Sequence, residues 1–311
     1  MLLELVFLFV MMSVPGAAGD RFTESSEHFT IFYHREDAGI ALNLLDVAER
    51  EYWRVTDIIG FRPAPTLEIF LARDDQEFRL LTLGRVPEWG IGAAVPHRGR
   101  IVLISPRRSP DGSDLHQVLA HELSHVVLGQ ALGESRAPRW LDEGIAMYIS
   151  HEWKLGQSVS VTRALLFDSL IPLNQIENLN SFKRSKAQLA YAESFLAVAF
   201  ILDRYGETSL HYLIKELARR GDVDMAMRAS LGMTQKEFQL AWQEYVNSRF
   251  NWASVLSQPF VFWMFMLFLF VLVFLLKRRH TRKIMERWRL EEAGLEEPYH
   301  PSESDERWSS P

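Results

Sequence analysis

The sequence predicts an α+β protein: a mixed sheet with helices in the N-terminal part, a helical C-terminal half, and then one transmembrane helix. Three observations carry this. Short runs of β-branched and aromatic residues alternate with helical patterns up to about residue 105. Beyond residue 114 most of the apolar spacing is helical, and residues 260–276 contain no charge. The 311 residues are 48% apolar and 24% charged, which is ordinary globular composition. A net charge of -6, with no long one-signed block in the central region, gives no nucleic-acid surface. There are no cysteines, so disulfides and thiolate metal sites are excluded, and any metal must sit on histidines and carboxylates.

Residues 2–14 are an apolar run, interrupted near its start by Glu4, followed by the small residues Pro15, Gly16, Ala17, Ala18 and Gly19. This reads as a signal peptide over residues 1–19, cut near Ala18 or Gly19, although no Lys or Arg precedes the apolar core. Residues 29–33 (FTIFY) suit a pleated surface and form the first expected strand. A helix is expected over residues 38–59, with Leu42, Leu45, Val47, Ala48 and Tyr52 as its apolar stripe and Gly60 as its stop. Pro63 and Pro65 turn the chain into a short strand at 67–71, and a short helix follows at 75–81. Two β-rich runs, 90–96 and 100–105, flank Arg98-Gly99 and predict an antiparallel hairpin.

Ser113 or Asp114 is placed to cap a helix that carries His121-Glu122-Leu123-Ser124-His125. After a turn at 133–138, a second helix starts near Arg139 and carries Trp140, Leu141, Glu143, Ile145 and Tyr148. Residues 159–186 read as less regular. Helical patterns then cover 187–205, ending at Gly206, and 210–218, closed by Gly221, and Thr234 with Glu237 forms a capping box for a last helix. The aromatics Phe238, Trp242 and Tyr245 of that helix read as core. The unbroken apolar run 260–276 is seventeen residues and carries no charge, with Trp252 before it and Trp263 near its start, and Lys277, Arg278, Arg279, Arg282 and Lys283 follow. The expected layout is a domain at 20–251 outside the cytoplasm, a membrane span at 259–276, and a cytoplasmic tail at 277–311, helical at first and then disordered. The protein is expected in the cell membrane as a single-pass protein, its domain periplasmic if the source is a Gram-negative bacterium.

Residues four apart share a helical face, so His121 and His125 can reach one metal ion, with Glu122 at the rim. Such a pair suits zinc, whose catalytic sites take three protein ligands and keep one position open. Glu134, Asp142, Glu143, His151 and Glu152 are all within reach as the third. Glu143 fits best: bulky apolar residues surround it, and Gly144 and Ala146 leave room for close helix contact. Glu122 is placed to move a water proton to a leaving amine, and a tyrosine hydroxyl, from Tyr148, Tyr191 or Tyr205, to stabilise an oxyanion.

His-Glu-x-x-His followed by Trp-Leu-x-Glu-Gly-x-Ala resembles the gluzincin metallopeptidases, in particular the peptidase MA-like group, and is distantly similar to the M1 aminopeptidases. The resemblance covers roughly residues 29–250. It implies a gluzincin-like fold, one zinc ion held by His121, His125 and Glu143, Glu122 as catalytic base, and a peptide or protein substrate. In M1 enzymes the oxyanion tyrosine lies several tens of residues beyond the third ligand, which favours Tyr191 over Tyr148. Two departures stand out. The aminopeptidase Gly-x-Met-Glu-Asn strand has no carboxylate in the comparable run 90–96, which argues for an endopeptidase that receives an extended peptide by strand addition. Met147 stands where the thermolysin-type pattern has Asp, so the pattern names no partner for the second ring nitrogen of His121. The competing readings are a catalytically silent binding or scaffold protein at the membrane and a zinc hydrolase of non-peptide amides.

Overall fold

The structure, a computed structural model, describes residues 21–63, 66–82, 91–107, 114–153, 155–249 and 259–295. The expected signal peptide and the end of the tail lie outside these. The chain divides into two compact units, Met1–Asn251 and Trp252–Pro311.

The first unit contains a five-stranded mixed sheet in the order β1-β2-β3-β5-β4. Its strands are β1 (Arg21–Ser25), β2 (Phe29–His34), β3 (Leu67–Ala72), β4 (Gly92–Val95) and β5 (Arg100–Ile104). β2, β3 and β5 are parallel, whereas β1 and β4 join antiparallel at the two edges. Period-2 alternation explains β2, since Phe29, Ile31 and Tyr33 are buried on one face. β1, RFTES, was not expected: a short charged edge strand has neither an apolar run nor a buried face to announce it.

α1 (Ala38–Ile59) is the crossover that makes β2 and β3 parallel. It ends at Gly60, whose φ of 75° is left-handed and whose N–H bonds Thr56 O at 2.9 Å. A short helix α2 (Asp75–Leu81) follows β3, capped by Asp74. The expected hairpin is present, with β4 and β5 joined by a 3-10 turn at Pro96–Arg98 and by Gly99 at φ 59°.

α3 (Leu115–Leu132) is capped by Asp114, which accepts from His116 N–H at 3.0 Å. It buries Leu119, Leu123, Val126 and Val127, and it lies tight against the hairpin: a Cβ on Gly129 would stand 2.4 Å from Pro96 Cβ. α4 (Arg139–Ile149) then crosses to α6 (Arg184–Tyr205). A Cβ on Gly144 would stand 2.3 Å from the Ser194 carbonyl oxygen, so only glycine permits this approach, as the spacing anticipated.

Residues 159–186 are more regular than expected. They hold most of α5 (Leu155–Leu166) and a 3-10 segment, Leu173–Ser181. α5 is rich in Ser, Val and Thr, weak helix formers, so its propensity concealed it. α7 (Glu207–Arg220), α8 (Val223–Leu231) and α9 (Gln235–Arg249) complete the unit. The capping box forms, with Thr234 N–H to Glu237 Oε2 at 2.7 Å and Glu237 N–H to Thr234 Oγ1 at 3.2 Å. Trp140 stacks on Phe238 at 5.5 Å, and Trp242 is fully buried.

In the second unit α10 (Pro259–Leu295) runs unbroken through the apolar and basic stretches. The expected transmembrane helix needs correction here: among the described residues no helix is long and apolar enough to cross a membrane. The apolar side chains described on α10 cover residues 262–276, short of the ~20 a bilayer requires, before Lys277 begins the basic run.

Candidate metal centre

The helical turn of α3 sets the His121 and His125 rings 4.9 Å apart at 73°. Each ring is held through Nδ1. Glu152 Oε1 lies 2.9 Å from His121 Nδ1, and Asp142 Oδ1 lies 2.6 Å from His125 Nδ1. With Nδ1 occupied, both Nε2 atoms turn to a common point. There they face Glu143 Oε2 from α4, at 3.7 and 3.8 Å.

Donor pairs around a four-coordinate zinc stand roughly 3.3 Å apart, given bonds of about 2.0–2.2 Å. The observed spacings are close to that, and one ligand atom from each of the three residues lies within 4.8 Å of the others. Neutral imidazoles backed by carboxylates are a donor set that suits zinc. The residues fit the ion.

Electrostatics point the same way. Burial disfavours a charged His121 ring, yet the nearby Glu143 carboxylate and the hydrogen bond to Glu152 raise its pKa well above the usual value. Burial likewise opposes His125, but the charge and hydrogen bond of Asp142 raise it to about 9. Burial acts to raise Glu143, but the facing His121 ring and the charges of His125 and Arg139 hold it low. The surrounding carboxylates therefore favour positive charge at the centre.

Glu152 reaches back because of the turn after α4. His151 adopts a left-handed φ of 54°, and Ser150 Oγ donates to Glu152 Oε1 at 2.9 Å. Gln117 Nε2 donates to Ser150 O at 3.0 Å, and Arg54 donates to Ile149 O. These bonds fix the turn from two other helices.

Glu122 lies against β4. A Cβ on Gly92 would stand 2.9 Å from its Oε1, so this carboxylate is seated where the cleft meets the sheet edge. Burial raises its pKa; the histidine charges oppose this, and Glu143 and Glu152 add to it. A cavity of about 1050 Å³ runs along β4 and is floored by His121, His125 and Glu143. Tyr191 lines it, whereas Tyr148 packs on Phe195 and Tyr205 points to Met233, and neither lines the cavity. Burial, with the Glu143 charge, raises the Tyr191 pKa, so its hydroxyl stays protonated.

The structure thus brings His121, Glu122, His125, Glu143 and Tyr191 to one cleft. Of the other candidates for third ligand, Asp142 and Glu152 hold imidazoles instead, His151 contacts Arg54, and Glu134 is exposed at the cavity wall. Arg139, which sequence reasoning passed over, bonds Glu143 Oε1 at 2.8 Å. An arginine one turn before a buried carboxylate is the signal that could have found it.

Two histidines one helical turn apart, with a glutamate from the next helix, make this a gluzincin-like metal centre on an α+β fold. The chain belongs to the Peptidase MA superfamily, which it matches over residues 48–248. A relative is the uncharacterized protein YhcO of Bacillus subtilis (strain 168), 24% identical over 140 residues, or 41% of each chain. Among solved structures, the M1 zinc metallopeptidase from Deinococcus radiodurans is 17% identical, with a TM-score of 0.44 over 72% of this chain and 51% of that one. A two-domain M1 zinc metallopeptidase mutant bound to L-arginine is 16% identical, with a TM-score of 0.43 over 73% and 51%. The matches therefore span about half the length of those structures, or less than half of the relative.

Proposed function

We propose that the chain is a membrane-anchored zinc metallopeptidase that hydrolyses internal peptide bonds. The observation that carries this is the convergence of both Nε2 atoms and Glu143 Oε2, each imidazole held from behind, with Glu122 beside them on the cleft wall. Zinc held there by His121, His125 and Glu143 supplies Lewis-acid polarisation of a carbonyl and acidifies water. Glu122 then takes the water proton and passes it to the departing amine; its raised pKa suits a group that must both accept and return a proton. Tyr191 donates its hydroxyl to the developing oxyanion.

The edge strand β4 supports the endopeptidase reading. It pairs on one side with β5, and its GAAV sequence has no carboxylate to hold a free amine. An extended chain adding to its other edge would pass over the metal centre.

Anchoring is supported by α10. All its described side chains over residues 262–276 are exposed and apolar, the unbroken apolar run in the sequence is 260–276, and five basic residues follow by Lys283. A helix apolar all round is suited to lipid, and a basic flank of this kind favours a cytoplasmic C-terminus. An export signal at residues 1–19 accords with a domain outside the cytoplasm, in the periplasm if the source is a Gram-negative bacterium.

Purified protein should hold about one zinc per chain, and Glu122→Gln should keep the zinc but lose cleavage of a peptide library. Metal-free protein, or equal cleavage by the variant, refutes the peptidase reading and leaves a silent scaffold. Zinc without any peptide cleavage points to another amide. Alkaline carbonate should leave the chain with the membrane fraction; its release would refute the anchor.

A further inference from the structure

Arg139 opens α4 one turn before Glu143, and its side chain is 37% exposed, toward the cavity it lines. Nη2 lies 2.8 Å from Glu143 Oε1, and Tyr191, on the wall of the same cavity, is within reach of the same guanidinium. A guanidinium carries its donors in a rigid planar fork, so it can serve two acceptors in fixed directions; an ammonium cannot. Glu143, bound on Oε1, turns Oε2 to the two imidazoles. Without that hold its broad terminal torsion would let both oxygens swing toward the centre. A Tyr191 oxygen that accepts from this guanidinium would leave its own O–H to donate into the cavity both residues line. The start of α4 does not depend on this side chain, since Arg139 N–H is separately bonded to Glu177 Oε1 at 2.7 Å.

We propose that Arg139 is a positioning residue that couples the third ligand to the oxyanion donor: one guanidinium fixes Glu143 as a single-oxygen ligand and aims the Tyr191 hydroxyl. This rests on the zinc peptidase reading above. Nothing in the family motif assigns the residue before the tryptophan such a role; the geometry does.

The test uses full-length protein carrying Arg139→Gln, Arg139→Lys, Tyr191→Phe, or Arg139→Gln with Tyr191→Phe. Zinc dissociation constants come from chelator competition, and the visible absorption of the cobalt-loaded protein reports coordination. Turnover is read at saturating zinc on the fastest-cleaved of a set of internally quenched peptides. Both Arg139 variants should weaken zinc about 10–100-fold, the range for outer partners of a metal ligand, and should lower the cobalt absorption as coordination expands. Tyr191→Phe should leave zinc affinity within about twofold. In kcat, Arg139→Gln and the double variant should match Tyr191→Phe within about threefold, because one acts through the other. Arg139→Lys keeps the charge beside Glu143, so it answers the metal question even where the Gln variant does not fold.

Unchanged zinc affinity in both Arg139 variants overturns the proposal, as do kcat losses that multiply in the double variant. Wild-type protein that binds zinc but cleaves no peptide overturns the peptidase reading; the metal measurements then still decide whether Arg139 fixes Glu143.

Discussion

Glu193 should make this fold lose stability as pH rises toward 8, and Glu193→Gln should remove that loss. The side chain lies on α6 two residues beyond Tyr191, is fully buried, and accepts the Ile171 N–H on its two oxygens at 3.0 and 3.1 Å. Burial raises its pKa to about 8, with the Ile171 bond and the Lys186 charge only partly opposing. The folded pKa is therefore above the unfolded one. The folded state binds the extra proton between the two values, so its stability is full below about 4.5 and falls as pH rises to about 8. The interval is about 3.5 pKa units, which at ~1.4 kcal/mol each corresponds to a loss of order 4–5 kcal/mol. Gln keeps an oxygen for Ile171 and carries no charge. Urea unfolding at pH 5, 6.5 and 8 should show the variant gaining on wild type by several kcal/mol across the series. Parallel pH curves would refute the reasoning, because they would mean that the folded protein accommodates the Glu193 charge without penalty.

Three other outcomes follow from the site. Glu152→Ala and Asp142→Ala should each weaken zinc about 10–100-fold in chelator competition, since each leaves one imidazole without its Nδ1 partner; an unchanged affinity would contradict the assignment. Gly92→Ala should lower kcat at least about tenfold while one zinc remains bound, because the new methyl group meets both Glu122 and Val118, at 2.9 and 2.6 Å; normal turnover would show that Glu122 is not seated by β4. Gly144→Ala should destabilise the fold by about 1–3 kcal/mol in thermal or urea unfolding, because its methyl meets backbone rather than a movable side chain.

The parts of the site that follow a local period could be read in the sequence. The i, i+4 spacing of His121 and His125 fixes a shared face, and the apolar neighbours of Glu143 mark it as inward. The two carboxylates behind the imidazoles could be listed but not assigned. Asp142 and Glu143 are adjacent, and only the roll of α4 decides which faces Nε2 and which faces Nδ1. Glu152 depends on a left-handed residue at His151, a conformation that no pattern announces in a non-glycine residue. In the fold, β2, α1, α3 and the hairpin were legible because each has a clear period or a Gly or Asp terminator. β1 and α5 were not: the first is polar, and the second is built of weak helix formers whose place is set by α6.

The ligands and their holders are close in sequence. His125 and Asp142 are 17 positions apart, and His121 and Glu152 are 31 apart. The parallel pairings of the sheet span somewhat more, as from Phe29 to Leu67 across a helical crossover. Closing the turn between α3 and α4 costs little chain entropy, and contacts of short sequence separation form early. In a chain growing from its N-terminus, the hairpin of α3 and α4 is complete at residue 152, 39 positions before Tyr191 is added. A nascent chain thus carries the whole hairpin proposed to bind zinc before it carries the proposed oxyanion donor, and on that reading metal loading need not wait for a finished cleft.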